Sequence, residues 1–88
     1  MKDELRERGF LSVKVASAQS VFFEGKARSV SSVNLVGPFD VLPKHENFIS
    51  LIKDKIVVYP EAGKKYELPI AHGLLEVSGD RVQIFVGI

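Results

Sequence analysis

This sequence has no cysteine and two histidines, His45 and His72, which are its first candidates for metal binding and general base catalysis. His45-Glu46 begins like the helical zinc-protease motif, but Ile49 stands where that motif needs its second histidine. A zinc site needs three or four ligands, so carboxylates would have to supply the rest. We therefore expect no metal site, and we interpret His45 as a turn or interface residue and His72 as a strand-end residue.

Nucleophilic catalysis has no clear candidate either. The sequence contains no G-x-S-x-G elbow, and the serines at 29, 31 and 32 follow a strand pattern in which they resemble a polar face. Gly37-Pro38 is the nearest approach to a phosphate-binding loop, but a proline lacks the N–H that such a loop uses. A small enzyme that uses Asp40 and His45 stays open as one alternative. We predict a non-enzymatic protein with no catalytic residue, no cofactor and no small-molecule substrate.

The composition narrows the choice of partners. The 88 residues carry a net charge of +1, with 45% hydrophobic and 26% charged residues, which is ordinary for a folded domain. A nearly neutral chain gives no reason to expect nucleic acid as a partner. No apolar run approaches the roughly 18 residues of a membrane-spanning helix. We therefore expect contact with a membrane only through a protein partner.

The elements that would position these residues are predicted to be short β-strands. Residues 1–10 form a charged arm that we expect to be mobile, and residues 11–88 form one domain. From Leu11 onward apolar and polar residues alternate with a period of two, and turns recur every 5 to 10 residues. This pattern predicts about 8–10 strands in an all-β sandwich or barrel, with breaks at Lys53-Asp54-Lys55 and near Gly73.

Two further local predictions come from turn chemistry. Ser78-Gly79-Asp80 is the clearest hairpin turn, because glycine adopts a positive φ without steric cost. Pro69 lies inside a strand pattern and cannot donate a ladder hydrogen bond, so we place it at a sheet edge or a bulge.

One loop is unusually apolar. Asn34 and the Gly37-Pro38 pair are typical of a turn, yet Val33, Leu35 and Val36 are hydrophobic. Either this segment is another strand of the core, or it is an exposed apolar loop that binds a partner. In the second case each side chain buried in an interface contributes on the order of 1.5–3 kcal/mol.

Three segments, in order and in register, resemble the amino-terminal domain of the epsilon subunit of F-type ATP synthases. Residues 21–30, VFFEGKARSV, are similar to its V-L-F-E-G-x-A-x-S-V pattern. Residues 37–45, GPFDVLPKH, are similar to its G-x-F-G-V-L-P-G-H signature, and residues 73–77, GLLEV, to its G-F-L-E-V strand. The resemblance covers residues 11–85.

This resemblance implies a flattened β-sandwich of two five-stranded sheets. It also implies a non-catalytic subunit of the central stalk of a proton-driven rotary ATP synthase, which docks on the gamma subunit and the c-ring and couples rotation to ATP synthesis. We would then expect it in the cytoplasm, peripheral to the inner membrane as part of that complex. By position, the family loop that faces the c-ring corresponds to Asn34, Leu35, Val36, Gly37 and Pro38. The family's gamma-facing histidine corresponds to His45.

The sequence departs from the family pattern in several places. Family glycines are replaced at Asp40, Lys44 and His72, and the family's polar, glycine-rich loop is apolar here. Because the sequence stops at Ile88, directly after the last predicted strand, we expect no carboxy-terminal helical hairpin. These departures keep open a second function, that of a stand-alone β-sandwich interaction module with a changed partner.

Overall fold

The computed structural model describes residues 9–61 and 63–87, which contain seven β-strands and no helix. The strands form one sheet in the order β2-β1-β7-β6-β5-β3-β4. Neighbouring strands are antiparallel except β1 and β7, which are parallel. Their bounds are β1 Leu11–Ala16, β2 Val21–Ala27, β3 Ser29–Val33, β4 Pro38–Val41, β5 Phe48–Tyr59, β6 Tyr66–Ser78 and β7 Arg81–Val86.

The two long strands, β5 and β6, each take part in both layers of a sandwich. Residues 48–52 of β5 and 73–78 of β6 continue the sheet made by β7, β1 and β2, and we call these five segments the five-strand layer. Residues 56–59 of β5 and 66–70 of β6 continue β3 and β4, and we call these four segments the four-strand layer. The register shifts between Lys53 and Asp54, where one layer passes into the other.

This continuity corrects the predicted strand count and leaves the all-β sandwich class confirmed. There are seven strands instead of 8–10, in one hydrogen-bonded sheet instead of two five-stranded sheets. The predicted turn at Lys53-Asp54-Lys55 is a bulge inside β5, and Asp54 accommodates it with a φ of 72°. His72 and Gly73 likewise lie inside β6 and not at a strand end. A bulge bends a strand without ending it, which sequence periodicity alone does not distinguish from a turn.

The core lies between the layers and is made by alternate residues of nearly every strand. In β1, for example, Leu11, Val13 and Val15 are buried while Ser12 and Lys14 between them are exposed. One hydrophobic cluster unites both layers; its buried members are Leu11, Val13, Val15, Ala27, Val30, Val41, Ile52, Ile56, Val58, Leu75, Val77, Val82, Ile84 and Val86.

One serine departs from the predicted polar face. Ser32 is buried, at 2% exposure, and its hydroxyl donates to the Lys55 carbonyl at 2.7 Å. The register between β3 and β5 shifts next to Ser32, and at this irregularity the serine hydroxyl supplies the Lys55 carbonyl with a hydrogen bond. Ser31, on the opposite side of the strand, is the one that belongs to the polar face, where it donates to Asp40 Oδ1.

Aromatic pairs connect the layers near both open sides of the sandwich. The ring of Phe23 in β2 lies 5.8 Å from that of Tyr66 in β6. The ring of Phe39 in β4 meets that of Phe48 in β5 edge to face at 5.9 Å. Each pair joins strands that are not neighbours in the sheet order, so the rings hold together layers that backbone hydrogen bonds do not connect there.

Turn and edge chemistry follow the sequence predictions. Gly79 has a φ of 63° in the two-residue turn between β6 and β7, which confirms the hairpin. Pro69 pairs with Lys55 on one side and, within the described residues, lies at the outer edge of the four-strand layer, as predicted. Of the predicted arm, residues 1–8 lie outside the described residues. Phe10 is described, and the Arg28 guanidinium stands 5.6 Å from its ring centroid.

Candidate interaction surface

Leu35 and Val36 form the tip of the hairpin between β3 and β4. The backbones of Asn34 and Gly37 exchange two hydrogen bonds, of 3.0 and 3.1 Å, which close a two-residue loop. Leu35 is 92% exposed and Val36 is 97% exposed, so both side chains stand in solvent. The structure places the tip outside the core, and of the segment's three apolar residues only Val33, at the end of β3, is half-buried.

The tip is held firmly by the residues beneath it. The side-chain oxygen of Asn34 accepts from the N–H groups of Val36 and Gly37, at 2.9 and 3.2 Å. Its side-chain nitrogen donates to Ser50 Oγ in β5 at 3.2 Å, which joins the hairpin to the five-strand layer. Gly37 has a φ of 142°, which other residues rarely adopt. Such anchoring lowers the entropy that the tip loses on binding.

His45 lies in the connection between β4 and β5, in a segment attached to the β6–β7 turn. Its N–H donates to the Leu42 carbonyl, and its ring lies 5.0 Å from that of Phe48. The N–H of Lys44 donates to Asp80 Oδ1 at 2.8 Å, and Lys44 has a φ of 68°. Lys44, which replaces a family glycine, therefore holds a left-handed backbone conformation. Asp40, which replaces another family glycine, lies in the regular strand β4.

A row of apolar residues, of which Ala16 is buried and the others are at least partly exposed, crosses the outer face of the five-strand layer. Cross-strand register places Leu51 beside Leu74, and Leu74 beside Phe85. The row continues from Phe85 to Ala16 and then to Val21. We call these five residues the apolar row. Leu51 is 68% exposed and Phe85 is 44% exposed, although both lie within regular strands.

Neighbouring residues widen the apolar row at both ends. Ile49, two residues before Leu51 on the same face, is 65% exposed, and Phe22, next to Val21, is 40% exposed. The next cross-strand row begins at Ile49 and continues through three polar residues, Glu76, Gln83 and Lys14. An apolar centre with a polar margin is the usual arrangement of a protein interface.

Sequence reasoning did not identify the apolar row, although a signal was present. Leu51, Leu74 and Phe85 occupy positions where the alternation calls for polar residues, since their neighbours Ile52, Leu75 and Ile84 fill the core. A strand whose inward and outward positions are both apolar is either buried on both faces or carries an interface on one of them.

The titratable side chains singled out in the sequence lie apart from one another. In the part of the chain that the structure describes, no three His, Cys, Asp or Glu side chains are close enough to hold a metal ion. Asp40 bonds to Ser31 on the outer face of the four-strand layer, and His45 Nδ1 lies 2.8 Å from the Glu46 carbonyl. In residues 9–61 and 63–87 no helix has the length and apolar character to cross a membrane.

The fold defines an all-β sandwich domain, and the apolar row on its outer face is a candidate interaction surface. Residues 10–87 match the family model of the ATP synthase Delta/Epsilon chain beta-sandwich domain, so the chain belongs to that family. It is 30% identical over 77 residues to an ATP synthase epsilon chain of Nitratiruptor sp., covering 86% of this chain and 60% of that protein. It is 28% identical over 75 residues to that of Brevibacillus brevis, covering 84% and 57%. The chain thus spans less than two thirds of these relatives.

Solved structures agree on the fold. A chain in the cryo-EM structure of the Euglena gracilis mitochondrial ATP synthase (OSCP/F1/c-ring) superposes with a TM-score of 0.80, at 19% identity, over 88% of this chain and 50% of that one. A chain of the Tetrahymena thermophila mitochondrial ATP synthase central stalk and c-ring gives 0.75 at 7% identity, over 89% and 63%.

Proposed function

We propose that this chain is a non-catalytic central-stalk subunit of a proton-driven rotary ATP synthase. In this role it docks on the gamma subunit and on the c-ring, and couples ring rotation to ATP synthesis in the catalytic head. It would work in the cytoplasm, at the inner membrane, and reach that membrane only through the complex. Membership of the family supports the assignment, and the relatives that it matches are epsilon chains.

The apolar row carries the proposal within the molecule itself. Large exposed side chains in regular strands add little to the stability of the isolated domain, since the inward residues already form the core. Burying them against a partner removes apolar area from water, at roughly 25 cal/mol per Å². We assign the gamma subunit to this face, with His45 near its margin, because β5, which bears Ile49 and Leu51, follows the His45 segment directly.

The hairpin tip is the second proposed contact, and we assign it to the c-ring. Asn34, Gly37 and Pro38 position the tip, while Leu35 and Val36 make the contact. Because the bond from Asn34 to Ser50 joins the hairpin to β5, it connects the tip to the strand that carries Leu51 of the apolar row. That connection is what a coupling subunit needs.

The test is capture of a gamma-type subunit from the same genome by the co-expressed chain. Replacing Leu51→Asp together with Phe85→Asp places two charges in the apolar row. We expect at least about a 100-fold loss of affinity, as for two interface residues of about 1.4 kcal/mol or more each. Circular dichroism checks that the native chain and the Leu51→Asp, Phe85→Asp variant are both folded.

A control of equal charge change comes from the opposite side of the molecule. Lys55→Gln with Lys64→Gln also lowers the net charge by two and should leave capture unchanged, because both side chains are exposed outside the apolar row. Absence of any complex with the native chain would refute the proposed function. Equal losses in both variants would refute the assignment of gamma to this face.

The apolar tip favours a second candidate function, a stand-alone interaction module with a changed partner. Leu35 and Val36 replace a loop that is polar and glycine-rich in the family that the sequence resembles. The tip variant Leu35→Asp with Val36→Asp separates the two functions when it is tested on the whole rotary complex. A stalk subunit should keep its gamma contact and lose affinity for the ring-containing assembly, whereas a module with another partner should associate with neither before or after the change.

A further inference from the structure

The two layers leave four open strand edges, and three of them carry features that discourage pairing. β2 has Glu24, Gly25 and Lys26 in its centre. β4 is four residues long and begins with Pro38. The first part of β6 contains Glu67 and Pro69. Charges, prolines and short length at an edge are the usual protection against another strand adding to the sheet.

The fourth edge, residues 48–52 of β5, has none of these features. Its sequence, Phe-Ile-Ser-Leu-Ile, contains no proline, glycine or charge. Within the described residues it pairs with β6 on one side and with no strand on the other, because β3 turns away after Val33 pairs with Lys53. Such an edge presents backbone groups that are not paired with a neighbouring strand, together with two exposed apolar side chains, Ile49 and Leu51. The Leu51 carbonyl accepts a bond from Ser50 Oγ at 3.0 Å and has a second lone pair for an incoming strand.

We propose that a second copy of this chain binds this edge, with the two β5 strands antiparallel about a twofold axis at Ser50. The inference does not depend on the function proposed above. An open edge selects an extended strand as its ligand, since only a strand satisfies the alternating N–H and C=O groups. The register then selects the same strand as the best partner.

The register argument rests on side-chain parity. A twofold axis perpendicular to the sheet must pass through a residue position, or inward residues would meet outward ones. Centred on Ser50, the pairing sets Ile49 opposite Leu51 of the second copy, and Phe48 opposite Ile52 of the second copy. Centred on Ile49 it would set Leu51 opposite Asn47, and centred on Leu51 it would set Ile49 opposite Lys53. Within residues 48–52, only the Ser50 register sets every apolar residue opposite another apolar residue, while Ser50 lies opposite Ser50 of the second copy.

The surroundings of the edge leave room for such a partner. The inward side is already closed, by the contact of Phe48 with Phe39 and by the bond from Asn34 to Ser50. An open groove of about 370 Å³ lies at the start of the strand, lined by Asn47, Phe48, Ile49, Glu76, Val77 and Ser78. An incoming strand therefore extends the layer sideways without displacing core side chains.

Sedimentation velocity over a range of concentrations of the full 88-residue chain tests the proposal with two charged pairs. The variant Ile49→Lys with Leu51→Lys sets lysine opposite lysine in the Ser50 register, and we expect it to be monomeric throughout. The variant Ile49→Lys with Leu51→Glu sets lysine opposite glutamate, and we expect it to regain the dimer. Like charges directly opposite destabilise a pair, and unlike charges stabilise it.

The matched control is Leu35→Lys with Val36→Lys, which adds the same charge at the hairpin tip and should dimerise like the native chain. Four results would overturn the inference: a native chain that stays monomeric, a dimer that survives the two lysines, a lysine–glutamate variant as monomeric as the double lysine, or a dimer lost in the tip control.

Discussion

The two outer faces of the sandwich differ although they are built by the same alternating pattern. On the outer face of the four-strand layer, one cross-strand row runs through Asp40, Ser31, Val57 and Glu67, and its one apolar member, Val57, is only 4% exposed. The outer face of the five-strand layer carries the apolar row. Both faces lie outside the core, so folding demands neither composition. The difference supports the proposal that the outer face of the five-strand layer binds a partner, because the isolated fold does not require large exposed apolar side chains there.

The largest expected effect separates the two sides of a single strand. Leu74 and Leu75 are adjacent in β6, but Leu75 is fully buried and Leu74 points into the apolar row. Leu75→Ala should lower the free energy of unfolding by about 2–5 kcal/mol, because it leaves a cavity in the core. Leu74→Ala should cost under about 1 kcal/mol. Urea denaturation measures both, and equal costs would mean that the apolar row belongs to the core.

A second prediction concerns the backbone beneath the apolar row. A Cβ at Gly73 would lie 2.6 Å from the Phe85 carbonyl oxygen, so Gly73→Ala must push β6 and β7 apart. We expect a loss of about 1–3 kcal/mol, as for overpacking. Gly25→Ala is the control, since its Cβ would meet only the Phe23 ring at 3.7 Å, an ordinary contact. A thermal melt in which both variants behave alike would contradict the close approach at Gly73.

A third prediction contrasts two serines in β3, on opposite sides of the four-strand layer. Ser32→Ala removes the only side-chain bond to the bulged Lys55 carbonyl found in the described residues and should cost about 1–2 kcal/mol. Ser31→Ala removes an exposed bond to Asp40 and should cost under about 0.5 kcal/mol, because water replaces it. Chemical denaturation of both variants measures the two losses in the free energy of unfolding. A larger loss for Ser31→Ala than for Ser32→Ala would contradict the assignment of Ser31 to the exposed side of β3 and Ser32 to the buried side.

The smallest effect lies in the segment that connects the layers before β5. Lys44 holds a left-handed conformation that costs a residue with a side chain about 1–2 kcal/mol. Lys44→Gly removes that strain but adds chain entropy to the unfolded state, so we expect a net gain of up to about 1 kcal/mol. Asp40→Gly, at the other family glycine, should destabilise, since Asp40 lies in a regular strand. Differential scanning calorimetry measures whether each variant raises or lowers the melting temperature.

Sequence alternation was sufficient to predict the fold class, because inward residues such as Leu11, Val13 and Val15 repeat with a period of two. It did not predict the strand count, because a bulge at Asp54 has the same polar and turn-forming residues as a true turn. The prediction that Leu35 and Val36 contact a partner rests on their apolar character and on the family resemblance. The apolar row could not be assembled from sequence, since register across five strands depends on where each strand bends.

The central claim is that the apolar row is the docking face, and the absence of cysteine from the sequence makes it directly measurable. Single cysteines at Leu51, Phe85, Ser31 and Lys55 give four probes, two on each outer face. Rates of maleimide labelling are compared for the chain alone and in complex with the gamma-type subunit. Our account predicts strong protection of the probes at Leu51 and Phe85, with those at Ser31 and Lys55 unchanged. Protection of Ser31 and Lys55 with free labelling of the row would contradict it.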